Sequence, residues 1–111
     1  MRQIIAALCL AALSNAAAAQ TPAQDREKLV AVYRLTISQE MCKFELSDDQ
    51  ADAVGKASDK LEEQLALSDE DSQKLYDQVK ASMEQQKASG LCDPTGEWSK
   101  TYKQAVADLV K

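Results

Sequence analysis

Apolar residues recur every three or four positions along four stretches of the chain, which is the spacing of one face of an α-helix. No stretch alternates apolar and polar residues with the two-residue period of a strand. The pattern therefore predicts four helices and no sheet. In chain order, the recurring apolar positions are Leu29, Tyr33, Ile37, Met41 and Phe44; Ala51, Val54, Ala57, Leu61 and Leu65; Leu75, Tyr76, Val79 and Met83; and Trp98, Tyr102, Ala105, Val106 and Leu109.

Each stretch is preceded by a helix-start signal. TPAQ at 21–24 and SDDQ at 47–50 both fit a capping box, in which a hydroxyl residue and a Gln three positions on bond each other's backbone N–H. SDED at 68–71 places acids where the helix dipole favours them. At 93–94, Asp93 is a suitable cap and Pro94 a suitable first residue, while Gly90 suits the end of the third helix. The predicted helices span about 22–45, 48–66, 69–89 and 94–110.

The connections between these helices are short, and short connections make consecutive helices antiparallel neighbours. We therefore expect an all-α protein whose helices form a small up-down-up-down four-helix bundle. The bundle accounts for residues 20–111, a length that fits one domain.

The first nineteen residues have the features of a signal peptide. Arg2 gives a positive start, residues 4–13 are an unbroken apolar run, and three alanines at 17–19 suit cleavage before Gln20. The strongly apolar part is shorter than the roughly 20 residues that a membrane-spanning helix needs. The sequence thus predicts a signal peptide at 1–19 and an exported protein, periplasmic in a Gram-negative bacterium or secreted.

Cleavage would remove Cys9 and leave Cys42 and Cys92. An even number of cysteines in an exported chain indicates a disulfide. In an up-down bundle, the end of the first helix and the third connection lie at the same pole, so the two cysteines are predicted to meet there. The alternative is a reactive Cys92 thiolate activated by the start of the fourth helix, and we favour the disulfide.

Residues 20–111 carry 12 basic and 18 acidic side chains, and eleven of the acids fall between Glu45 and Asp77. This charge argues against binding to nucleic acid or to anionic lipid. A calcium-binding EF-hand loop starting at Asp48 fails, because Ala53 and Asp59 occupy its glycine and glutamate positions. The acids are either a solvated helix face or an interaction surface. The candidate surface comprises Asp48, Asp49, Asp52, Asp59, Glu62, Glu63, Asp69, Glu70 and Asp71.

The chain contains no histidine, which excludes Ser-His-Asp and Cys-His catalysis and the commonest transition-metal ligand. We therefore expect a non-enzymatic helper without cofactor or metal, which binds a protein, peptide or apolar ligand. The alternatives are an acidic cation-binding protein and a partner-specific inhibitor or assembly subunit.

A short, helical, exported chain held by one long-range disulfide is similar in plan to the acid-stress chaperones of the enteric periplasm, although no motif is shared. That similarity implies a chaperone-like role under acid or envelope stress.

Overall fold

The computed structural model describes residues 21–111, and the predicted signal peptide lies outside them. The described chain contains four α-helices and no strand: α1 (Pro22–Met41), α2 (Asp48–Gln64), α3 (Asp69–Lys87) and α4 (Glu97–Leu109). The prediction of an all-α protein with four helices is confirmed. None of the helices in this range is long and apolar enough to cross a membrane.

The first three helices begin where the start signals place them. The Thr21 hydroxyl accepts a hydrogen bond from the backbone N–H of Gln24 at 3.1 Å, and the Gln24 side chain accepts one from the N–H of Thr21 at 3.0 Å. Ser47 and Gln50 form the same reciprocal box at the start of α2. Each box satisfies backbone donors that have no partner inside the helix.

Helices α1 to α3 end earlier than predicted, by four residues for α1 and by two for α2 and α3. Lys43 after α1 and Ala66 after α2 have left-handed backbone, with φ of 60° and 54°. Gly90 after α3 also has left-handed backbone, with φ of 94°. There the N–H of Leu91 donates a hydrogen bond to the carbonyl of Gln86. After α2 and α3, the left-handed residue turns the next N–H back onto one of the last carbonyls of the helix.

The predicted start of α4 is wrong. The helix begins at Glu97 with Gly96 as its N-cap, rather than with Asp93 as cap and Pro94 as first residue. The Asp93 carboxylate instead accepts hydrogen bonds from the backbone N–H and the hydroxyl of Thr95, both at 3.0 Å. Aspartate side chains readily form such local turns, which compete with the helical alternative.

Helix α1 is the central helix of the bundle. Its buried side chains point in nearly every direction around the helix axis, because successive residues are rotated by about 100°. They are Leu29, Val32, Tyr33, Leu35, Ile37 and Ser38. Within residues 21–111, the extensive helix–helix contacts join α1 to α2, α1 to α3, and α2 to α4. This differs from the predicted order, in which every helix packs on the next, because α1 is apolar on more than one face.

The two cysteines meet at one pole of the bundle. Their sulfurs are 1.99 Å apart and their Cα atoms 4.9 Å apart, although fifty residues separate them in sequence. The rings of Phe44 and Tyr102 lie beside each other at this pole, with centroids 5.1 Å apart. The pairing predicted from the helix order is therefore present, and an aromatic contact lies beside it.

Candidate functional site

A cleft of about 470 Å³ opens where α1, α2 and α3 border one another. We call it the acidic cleft, because three carboxylates line it and none of its ten lining residues is basic. Its volume lies within the range of small-molecule and peptide side-chain sites. The lining residues are Tyr33 and Thr36 from α1; Gly55, Ser58, Asp59 and Glu62 from α2; and Asp69, Ser72, Gln73 and Tyr76 from α3.

Two tyrosines form an aromatic wall of the acidic cleft. The rings of Tyr33 and Tyr76 meet edge to face, with centroids 5.3 Å apart and an interplanar angle of 70°. Tyr33 is buried and Tyr76 half-buried, and the Tyr33 hydroxyl donates a hydrogen bond to the Glu62 carboxylate. One side chain of α1 thereby holds α3 through its ring and α2 through its hydroxyl.

Both phenols stay protonated well above physiological pH. Burial, helped by the hydrogen bond to Glu62, raises the pKa of Tyr33 to about 12. Burial also raises the pKa of Tyr76, with a further contribution from the nearby charges of Glu40 and Asp77. The wall of the cleft is therefore neutral and aromatic, and its negative charge is carried by the carboxylates alone.

The structure divides the predicted acidic surface. Asp59 and Glu62, one turn apart on α2, and Asp69, at the start of α3, line the acidic cleft. Asp49 and Asp52 border a separate depression between α2 and the end of α4. The remaining predicted members are exposed on α2 and α3 outside the acidic cleft: Asp48, Glu63, Glu70 and Asp71.

Two members of the predicted surface already have basic partners. Asp52 pairs with Lys56 at 3.0 Å, and Glu70 pairs with Lys74 at 3.5 Å. Both pairs join residues four positions apart on one helix and are largely exposed, so each contributes little to stability. The three carboxylates of the acidic cleft form no such pair within residues 21–111.

Sequence reasoning missed the uncharged part of the site. Helical spacing places Tyr33 and Tyr76 on the apolar stripes of their helices, and Gly55 belongs to no predicted surface. A methyl group built on Gly55 would meet nothing within 4 Å, so no packing neighbour requires glycine there. Glycine within a helix lowers stability by about 0.5–1 kcal/mol relative to alanine. Here the missing side chain leaves the cleft wider on the side of α2. A helix-interior glycine opposite two tyrosines is the sequence signal that could have indicated the cleft.

The arrangement suits positively charged groups that are spread apart. Its carboxylates come from two helices, α2 and α3, and each can pair with an ammonium or guanidinium group. Aromatic faces attract the same cations. Within residues 21–111, no three His, Cys, Asp or Glu side chains are grouped closely enough to hold a metal ion.

No protein-family model matches the chain, and neither a curated protein nor a solved structure matches it.

Proposed function

We propose that this protein is an exported, non-enzymatic binding protein whose partner is a basic segment of a protein or peptide. The partner would insert lysine or arginine side chains into the acidic cleft. The observation that carries the proposal is the composition of that cleft, in which Asp59, Glu62 and Asp69 stand beside two tyrosines with no basic lining residue. Uncompensated negative charge in a concave site attracts and orients a positively charged partner.

The tyrosines support recognition of a side chain over recognition of a bare ion. A lysine or arginine side chain has an apolar stem as well as a charge, and the aromatic wall formed by Tyr33 and Tyr76 can contact that stem. Gly55 leaves room for the stem to lie against α2. The half-buried hydroxyl of Ser72 supplies an additional hydrogen-bonding group in the lining.

The test is a calorimetric titration with a synthetic peptide that carries three lysines spaced by glycines. Two double variants would be compared, each removing one acid from α2 and one from the first turn of α3. Asp59→Asn with Asp69→Asn removes cleft carboxylates, and Glu63→Gln with Asp71→Asn removes the same charge outside the cleft. We expect the first pair to weaken binding roughly 3- to 30-fold, since each exposed ion pair contributes up to about 1 kcal/mol.

Equal losses in both double variants would show only general attraction to an acidic protein, and would contradict the cleft as the site. Failure of the wild-type chain to bind the peptide at low salt would overturn the proposal. Saturable calcium binding that the cleft variants abolish would favour the alternative of a cation-binding protein.

A further inference from the structure

A second groove lies between α1 and α3, and its character is opposite to that of the acidic cleft. It has a volume of about 300 Å³, and both of its charged lining residues are arginines, Arg26 and Arg34. Its floor is apolar and is formed by Val30, Leu75, Val79 and Met83. We call it the arginine groove.

The two arginines are not neutralised within the described chain. The ion pairs among residues 21–111 all involve lysines, and no acidic residue lines the arginine groove. Arg26 and Arg34 are eight residues apart on α1, which separates them by about 12 Å along the axis. The positive charge at this groove therefore lacks a counter-charge.

Arg34 is held in position by neutral groups. Its guanidinium carbon lies 4.4 Å from the centre of the Trp98 ring, and its Nη2 donates to the side-chain oxygen of Gln86 at 3.3 Å. The indole N–H of Trp98 in turn donates to the buried Ser38 hydroxyl at 2.6 Å, and that hydroxyl donates to the Arg34 carbonyl. A planar guanidinium fixed in this way is suited to a carboxylate, because less side-chain freedom is lost on binding.

One donor of Arg34 has no acceptor. Its Nε is buried and has no hydrogen-bond partner in the part of the chain that the structure describes. A buried donor without a partner is unfavourable, and an anionic acceptor at this guanidinium would relieve that cost. This orphaned donor and the missing counter-charge both indicate an anionic group.

We propose that the arginine groove binds a fatty carboxylate, a single carboxylate on an unbranched apolar chain. Arg34 would hold the carboxylate, and the chain would lie over Val30 and Val79 toward Arg26. The groove is at the small end of ligand sites, which suits one narrow chain. This site is separate from the acidic cleft and goes beyond the binding of a basic partner.

Trp98 provides the readout, because it is the only tryptophan in the chain and stacks on Arg34. Fluorescence titrations would use hexanoate, octanoate and decanoate below their micelle concentrations. We expect saturable binding that strengthens by up to about fourfold per added methylene. Decyltrimethylammonium has the same chain with a positive head group, and should not compete.

Substitutions that change the charge at the edge of the arginine groove give matched variants that should keep the fold. Gln78 is exposed and lines the groove. Gln78→Glu should weaken decanoate binding by up to about fivefold, and Gln78→Lys should strengthen it. Lys80→Gln makes the same change in net charge as Gln78→Glu, but at an exposed position of α3 outside the groove, and should leave binding unchanged.

Several outcomes would overturn the proposal. These are equal binding of the cationic amphiphile, no dependence on chain length, or equal effects of Gln78→Glu and Lys80→Gln. Displacement of decanoate by an apolar peptide with a free carboxyl end, but not by octanoate, would assign the groove to a peptide instead. The Asp59→Asn and Asp69→Asn variant should still bind decanoate, so failure at one site is distinguishable from failure at the other.

Discussion

Tyr33 connects stability and binding at the scale of a single residue. Its ring packs on Tyr76 of α3, and its hydroxyl bonds to Glu62 of α2. The same hydrogen bond fixes one of the three carboxylates of the acidic cleft. A side chain that joins three helices in this way both holds the cleft open and orients one of its charges.

Tyr33 also makes the stability of the protein fall as the pH rises in the alkaline range. Because its pKa is raised from 10.0 to about 12, the unfolded chain loses this proton at lower pH than the folded chain. The contribution of protonated Tyr33 to the free energy of unfolding is fully present below pH 10. It is lost as the pH rises to about 12, by roughly 1.4 kcal/mol per pH unit. We expect Tyr33→Phe to flatten this decline, measured by urea unfolding between pH 8 and 11.5.

At neutral pH, Tyr33→Phe should lower the free energy of unfolding by about 1 kcal/mol, because the Glu62 carboxylate loses its donor. Tyr102→Phe is the matched control. The Tyr102 hydroxyl is buried without a hydrogen-bond partner in the described chain, so its removal should cost little. Equal losses in the two variants, or unchanged alkaline slopes in Tyr33→Phe, would contradict this account of Tyr33.

At the scale of the helices, the sequence predicted starts better than ends. Thr21, Ser47 and Ser68 cap helices through side chains that the sequence displays. The ends of α1 and α2 depend instead on left-handed backbone at Lys43 and Ala66, two residue types that do not signal such a conformation. Gly90 does signal it, yet the predicted end of α3 is two residues too late, the same error as for α2.

Ala66 should be a site of stored backbone strain. Its φ of 54° places the Cβ atom against the backbone, which costs about 1 kcal/mol in an L-residue and nothing in glycine. Ala66→Gly relieves this strain in the folded chain, but glycine also gives the unfolded chain more conformational freedom, which offsets part of the gain. We therefore expect the substitution to leave stability unchanged or to raise it by up to about 1 kcal/mol. Differential scanning calorimetry would measure the change.

The control for Ala66→Gly is the same substitution at Ala81, an exposed position inside α3. At Ala81 the substitution relieves no strain and only lowers the helix propensity, so Ala81→Gly should destabilise the protein by about 1 kcal/mol. A loss of that size at both positions would show that left-handed backbone at Ala66 is not maintained in solution.

For the whole molecule, the sequence predicted the helix count and most of the core from local periodicity. It predicted the cysteine pairing from the number of cysteines and the order of the helices. Val32 and Leu35 are buried but lie off the predicted stripe of α1, and they make that helix central. The predicted packing order is wrong because it rests on the short connections between helices, which do not show that α1 is apolar on more than one face. The acidic cleft could be predicted only as scattered acids, since it forms where three separate helices converge around Tyr33.

The disulfide should have its largest effect on α4. Among residues 21–111, the extensive contacts of that helix are with α2 alone, and Cys92 ties the preceding segment to the end of α1. Closing a loop of this length contributes about 4 kcal/mol in the chain-entropy model, against a typical total of about 5–15 kcal/mol for a domain. The covalent link therefore compensates for a modest interface.

We accordingly expect Cys42→Ser with Cys92→Ser to lower the free energy of unfolding by about 2–4 kcal/mol, measured by urea denaturation. Hydrogen exchange should accelerate most between residues 88 and 111, and the near-ultraviolet signal of Trp98 should weaken as its contact with Arg34 loosens. Acceleration spread evenly over all four helices would contradict a local role for the bond. If α4 loosens first, the arginine groove loses the ring that holds Arg34, whereas the acidic cleft, built only from α1, α2 and α3, should keep its affinity for a basic peptide.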